Sequence, residues 1–215
     1  MKLMILGLLL CLNLSQYACA QNNLFDSKNV LGPYPALGSE EEKQDIQQLL
    51  YYQQTRTTEQ CATAQAEANN GSLETFFGGN HGLLSAAELN KVQSKLKWVT
   101  VKTGTKIFYY KTKFDRPRPY VTHPEIKPCV DLENSKSYPS GHTTLARVYG
   151  RILAVIFPER AALFMKRADE VALNRLIGGV HHPSDVVAGK KLGDSIANDY
   201  LEDGNSFYQL QTLNN

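Results

Sequence analysis

An all-α, single-domain helical bundle is the fold class this chain predicts. Three observations carry it. Two capping boxes open stretches with apolar residues every three to four positions, alternating apolar and polar runs are scarce, and five of the nine prolines crowd into residues 115–140. Ser39-Glu40-Glu41-Glu42 starts the first helix, with Ile46, Leu49 and Leu50 at helical spacing behind it. A second helix is predicted over Thr57 to Ala68, where Ala and Glu are abundant and Pro and Gly absent. Ser85-Ala86-Ala87-Glu88 opens a stretch marked by Leu89, Val92, Leu96 and Val99, and helix continues to near Phe114. The proline-rich segment reads as a loop, ended by a helix starting near Gly141. Leu145, Val148, Ile152, Val155 and Ile156 give that helix a wide apolar stripe, as a buried element requires. Pro158 stands where it would start the next helix, which runs toward Leu176 and stops at Gly178-Gly179. Ser184 is placed to cap a last helix bearing Val186, Val187, Leu192 and Ile196, before a turn at Gly204.

The chain ends read differently from its middle. Lys2, the apolar run Leu3 to Leu14 and Ala18-Cys19-Ala20 have the pattern of a cleaved signal peptide over residues 1–20. The run is shorter than the roughly 20 residues a membrane span needs, and no later stretch is long and apolar enough to be one. The expected product is therefore exported, periplasmic or secreted from a bacterium, without a transmembrane segment after cleavage. Residues 21–38 form an extended lead-in, 39–204 the domain, and 205–215 a tail. Removing 20 of 215 residues leaves 195, enough for one core and too few to demand two. The net charge is +2, one unit of it from Lys2, which gives no case for a nucleic-acid polymer as partner. Cys11 and Cys19 leave with the signal. Cys61 and Cys129 remain, either as one disulfide or as two buried thiols.

Three short segments carry the chemistry. They are Lys111 followed by Arg118-Pro119; Pro139-Ser140-Gly141-His142; and Arg175 followed by His181 and Asp185. Lys111, Arg118 and Arg175 are three cations suited to an anionic phosphoryl group. The segments fall at helix ends, and the helix start at Ser140-Gly141 offers free N–H groups to an anion. Asp185 stands four residues after His181, so it can fix the tautomer of a nucleophilic imidazole. His142 is then the candidate general acid and base.

In this order, Lys-(six)-Arg-Pro, Pro-Ser-Gly-His and Arg-(five)-His-(three)-Asp resemble the signature of the type 2 phosphatidic acid phosphatase superfamily. The chain is most similar to bacterial class A non-specific acid phosphatases, over roughly residues 30 to 200. The resemblance implies the all-helical fold shared with haloperoxidases, no metal or other cofactor, and phosphomonoester hydrolysis through phosphohistidine. It implies Lys111, Arg118, Ser140, Gly141 and Arg175 as phosphate ligands, His142 as acid, His181 as nucleophile and Asp185 as its orienter. Asn174 departs from the usual Ser before Arg175, and is expected to alter anion affinity.

Other residues read as bystanders. His182 is expected as a wall or exposed residue, His81 and His123 as surface histidines, and Tyr51-Tyr52 and Tyr109-Tyr110 as core packing. Arg116 is open between reaching the substrate and a structural role. The rivals to a secreted phosphatase of small monoesters are a lipid phosphate or diphosphate phosphatase acting from the aqueous side, a vanadate-dependent haloperoxidase, and a non-enzymatic phosphate-binding module. A homo-oligomer is compatible with all of them.

Overall fold

The computed structural model describes residues 29–204, so the expected signal peptide and the 205–215 tail lie outside the described residues. Residues up to Gly32 group apart from the body that begins at Pro33; of the former, 29–32 carry no regular secondary structure. Among the described residues there are α-helices and short 3-10 turns but no strand. The helices are α1 (Glu40–Thr55), α2 (Thr58–Ala68), α3 (Leu73–Phe77), α4 (Ala86–Phe114), α5 (Pro119–Thr122), α6 (Gly141–Ile156), α7 (Ala161–Ile177) and α8 (Pro183–Glu202).

The helix starts follow their capping chemistry. Thr57 and Gln60 form a reciprocal box, as do Ser85 and Glu88. At α1 only half of the expected box forms. Ser39 accepts from the Glu42 N–H at 3.2 Å, but the Glu42 carboxylate turns to the Gly38 N–H and to His123. The last helix departs further from expectation. Its N-cap is His182, and Asp185 reaches back to the His182 N–H at 2.8 Å; Ser184 lies inside the first turn, where its hydroxyl donates to Asp45. Residues 115–140 are not wholly loop either. Pro119, with its fixed φ and no N–H to leave unpaired, starts the short α5. The five-residue α3 has too few residues to show a period, yet Leu73, Phe76 and Phe77 are all buried.

Helix α6 is the centre of the body and packs most extensively on α7 and α8. Val148, Ile152, Leu153 and Ile156 supply its buried stripe. Gly189 and Gly193, four apart, face α6 from α8. A Cβ added at Gly189 would lie 2.8 Å from the Ser140 carbonyl oxygen, and one at Gly193 would lie 2.7 Å from Arg147 Cβ. Side chains there would push the helices apart. The close approach sets α8 beside the first turn of α6, where the Ser140 N–H donates to the Asp185 carbonyl at 3.0 Å.

A second apolar group joins α1, α7 and α8 through Ile46, Leu49, Ala172, Leu176 and Val186, with Ile126 from the intervening segment. Ala64 and Ala68 of α2 pack with Val130 and Val180. Beside them Cys61 and Cys129 form a disulfide with a Cα–Cα distance of 5.8 Å. The tyrosine pairs split: Tyr110 is buried as expected, whereas Tyr51 is 61% exposed.

Candidate active site

The left-handed Asp115 ends α4 just after Lys111, and Pro117 and Pro119 then stiffen the chain around Arg118. Arg118 is buried and uses every guanidinium nitrogen. Nε donates to the Ser135 carbonyl at 2.8 Å, Nη1 to the Val180 carbonyl at 2.8 Å and toward His181 Nε2 at 2.9 Å, and Nη2 to Glu133 at 2.6 Å. Arg175, in the last turn of α7, is fully buried and donates through Nη2 to Glu133. Its Nε and Nη1 have no hydrogen-bond partner among the described residues. Buried unpaired donors on a guanidinium are costly, and an oxyanion is the group that would satisfy them.

Between α7 and α8 the chain must turn sharply. Gly179 does this at φ +75°, with Pro128 Cα only 3.3 Å from where a Cβ would sit. His181 follows, 1% exposed. Guanidinium nitrogens only donate, so the 2.9 Å contact from Arg118 requires a lone pair on His181 Nε2. The proton therefore sits on Nδ1, which faces Asp185 Oδ2 at 3.3 Å. Burial, and next the Arg118 charge, hold His181 well below the usual histidine range, so the ring is neutral.

Asp185 is fully buried. Burial alone would raise its pKa, but hydrogen bonds from His181 and His182 and the Arg116 charge outweigh it and keep the carboxyl ionised. Arg116 Nη1 donates to Oδ1 at 2.6 Å, and the Ser137 hydroxyl donates to Oδ2. Arg116 also reaches Asp45 of α1 at 3.3 Å. It is thus a structural cation behind Asp185. His182 is not exposed: it borders a cavity with Tyr34, Arg116 and Pro117, is otherwise buried, and its Nδ1 contacts the same Asp185 Oδ2 at 3.2 Å. One carboxylate serves two neighbouring imidazoles.

On the other side, Ser140 caps the chain entering α6, and its hydroxyl pairs with Thr143 at 2.8 Å. A Cβ at Gly141 would meet Ile107 at an ordinary 3.5 Å, so nothing among the described residues excludes a side chain there. His142 Nε2 lies 3.1 Å from the Glu67 carbonyl, which can only accept, so Nε2 carries a proton and Nδ1 is the exchanging atom. Burial, then the Arg175 charge, lowers His142 to about 4. Burial and the nearby Arg118 charge lower Lys111 to about 7, and its ammonium donates to the Lys136 carbonyl. Asn174 does not face the cations. Its amide donates to Glu67 Oε2 at 3.0 Å, in a buried group with Arg167. His81 is drawn into the same group through Arg167 at 2.9 Å, and His123 is paired with Glu42, so neither is a free surface histidine.

All eight sequence-predicted residues therefore border one region, where Lys111, Arg118, His142, Arg175 and His181 each feel the Glu133 charge or contact it. Glu133, Ser137, Asp45 and Glu67 escaped sequence reasoning. Glu133 lies in a proline-rich segment with no period; the signal that could have flagged it is the excess of cations over carboxylates among the motif residues.

Fold and site define an all-α protein with a buried polycationic anion cradle flanked by two imidazoles. Residues 98–198 match the PAP2 superfamily, and the chain thus carries a PAP2 superfamily domain. An acid phosphatase of Zymomonas mobilis is 31% identical over 166 residues, covering 74% of this chain and 63% of that protein. A non-specific acid phosphatase of Salmonella typhimurium is 37% identical over 87 residues, 39% of this chain and 35% of that protein. The chain thus spans less than two thirds of either relative. A solved bacterial vanadium-dependent iodoperoxidase aligns with a TM-score of 0.60 at 16% identity, over 78% of this chain and 50% of its own, a likeness of fold.

Proposed function

We propose that the domain is an exported acid phosphatase that hydrolyses small phosphate monoesters through a phosphohistidine. The observation that carries the reading is the His181 tautomer: a neutral, buried ring with Nδ1–H on Asp185 and the Nε2 lone pair turned to the cations. A module that merely held phosphate would need neither the tautomer nor the second imidazole. The names of the two relatives support phosphate esters as substrates. The disulfide supports export, because such bonds persist in oxidising compartments.

Phosphate binding takes the Arg118 Nη1–H from His181 Nε2 onto a phosphoryl oxygen, while Arg175 donates Nε–H and Nη1–H. Lys111 and the Gly141 N–H at the start of α6 add positive potential as charge moves onto the leaving oxygen. Nε2 attacks phosphorus, the P–O ester bond breaks, and the leaving oxygen takes the proton that the bound substrate monoanion has passed to His142 Nδ1. In the second half, His142 Nδ1 accepts a proton from water as that water attacks, and the Nε2–P bond breaks. Asp185 keeps Nδ1–H in place throughout and stabilises the positive ring.

The reading is tested by mixing enzyme, chelator and labelled ester, and quenching in base within the first turnover. Label on a histidine, stable to alkali and lost in acid, is the expected result. Turnover with no labelled protein at any quench time overturns the covalent route.

The pH dependence has a definite sign. Above about pH 4 His142 is neutral, so the proton for the leaving group must arrive with the substrate monoanion, whose second ionisation lies near 6. The kcat/KM profile is therefore expected to be flat from about pH 4 to about 6 and to fall roughly tenfold per unit above. Discharge of Lys111 steepens the fall above about 7. An ester with a lower second pKa should move the falling limb down by the same amount. A limb that stays fixed across esters assigns it to a protein group instead.

A further inference from the structure

We propose that Glu133 is a built-in competitor for the phosphate cradle: its carboxylate occupies the guanidinium donors that a phosphoryl group needs, and so weakens product phosphate binding and speeds its release. The proposal rests on the phosphatase reading of this site. One carboxylate oxygen accepts from Arg118 Nη2 at 2.6 Å, and the other from Arg175 Nη2. A carboxylate bridging two guanidiniums is the same kind of fork that binds a phosphate.

Burial separates Glu133 from its partners. Arg118 and Arg175 are 3% and 0% exposed, but Glu133 is 23% exposed, so the carboxylate can swing into water while the guanidiniums stay in place. Its backbone is held, since the Tyr120 hydroxyl donates to the Glu133 carbonyl at 3.0 Å. Side-chain rotation is then the movement that clears the cradle.

The fit is also incomplete. Two carboxylate oxygens leave Arg175 Nε and Nη1 without a partner among the described residues, whereas a tetrahedral phosphate has further oxygens to offer. A phosphoryl group thus displaces Glu133 by making bonds that Glu133 does not make. Acid does not lift this competition. Burial pushes the Glu133 carboxyl up, but the two guanidiniums it bridges outweigh it and hold it below the usual carboxylate value, so it stays ionised through the working range.

A competitor and a structural strut predict opposite signs. In the full chain, Glu133→Gln and Glu133→Ala should lower the inhibition constant of inorganic phosphate about tenfold or more. They should lower KM with it, and leave kcat equal or reduced because phosphate leaves more slowly. Glu133→Asp, which keeps the charge one methylene short, should shift the same way by less, and serves if the neutral variants fold poorly. An unchanged or raised inhibition constant overturns the proposal and makes Glu133 a residue that positions the two arginines. Titration calorimetry with inorganic phosphate reads the same sign without turnover. If the wild-type chain proves inactive toward esters, tighter phosphate binding by Glu133→Gln still supports the competitor, and unchanged or weaker binding still sinks it.

Discussion

His181→Ala is expected to lower kcat by about 10^4-fold or more while leaving the affinity for inorganic phosphate within a few-fold of wild type. The asymmetry follows from the division of labour around the cradle. In the proposed mechanism Lys111, Arg118 and Arg175 carry the anion, and all three survive the substitution. Asp185 loses one donor but keeps Arg116, Ser137 and the His182 backbone N–H, so the start of α8 stays anchored. What disappears is the Nε2 lone pair that the proposed mechanism directs at phosphorus.

His182→Ala is the control that gives this result its meaning. Both rings contact Asp185 Oδ2, at 3.3 Å for His181 and 3.2 Å for His182, so proximity to the carboxylate does not separate them. The Arg118 contact does, because only His181 has its second nitrogen on that guanidinium. Loss in the His182 variant should therefore be modest. If His182→Ala were the inactive variant and His181→Ala the active one, the nucleophile would be His182. Steady-state kinetics with phosphate inhibition reads both variants.

Loss of the Cys61–Cys129 disulfide is the largest expected effect on stability. The two residues are 68 apart, and opening a loop of that length costs roughly 4 kcal/mol in the chain-entropy view. For a chain of this size that is a fall in Tm of about 8–16 °C. Cys61→Ser and Cys129→Ser should each produce it, and wild type with reductant should match them. The bond also ties α2, whose Glu67 carbonyl holds His142, to the segment that carries Glu133 and Ser137, so kcat/KM should drop below the melting range as well. Scanning calorimetry with and without reductant is the measurement. Equal melting in both would mean that the cross-link adds nothing to the folded state.

Long helices were readable because burial imposes a period. Leu89, Val92, Leu96 and Val99 of α4, and Val148, Ile152 and Ile156 of α6, repeat at helical spacing and are buried at 9% exposure or less. Ser39 and Ser85 announced their helices through capping chemistry that is local in the chain, in full at Ser85 and by half at Ser39. Short α3 and α5 were missed, since four or five residues cannot display a period and their formation depends on what they pack against.

The same division holds at the site. Spacing within a segment was enough to couple His181 to Asp185, because four residues at a helix start bring side chains together whatever else the fold does. It set His181 above His182 on the four-residue offset alone, whereas both rings contact Asp185 and the partner that separates them is Arg118, 63 residues away. Asn174 was expected to face the anion and instead bonds Glu67, 107 residues away. Glu133 had no signature of its own beyond the surplus of cations in the motifs, since its meaning lies in the two guanidiniums it bridges. By itself the sequence determined the helical class, the cations and the two imidazoles, all encoded by residue type and short spacing. Only the tertiary structure decided which nitrogen holds the proton, what supports Asp185 and which carboxylate bridges Arg118 and Arg175. Those depend on contacts between distant segments, fixed when α8 closes on α6 through Gly189 and Gly193.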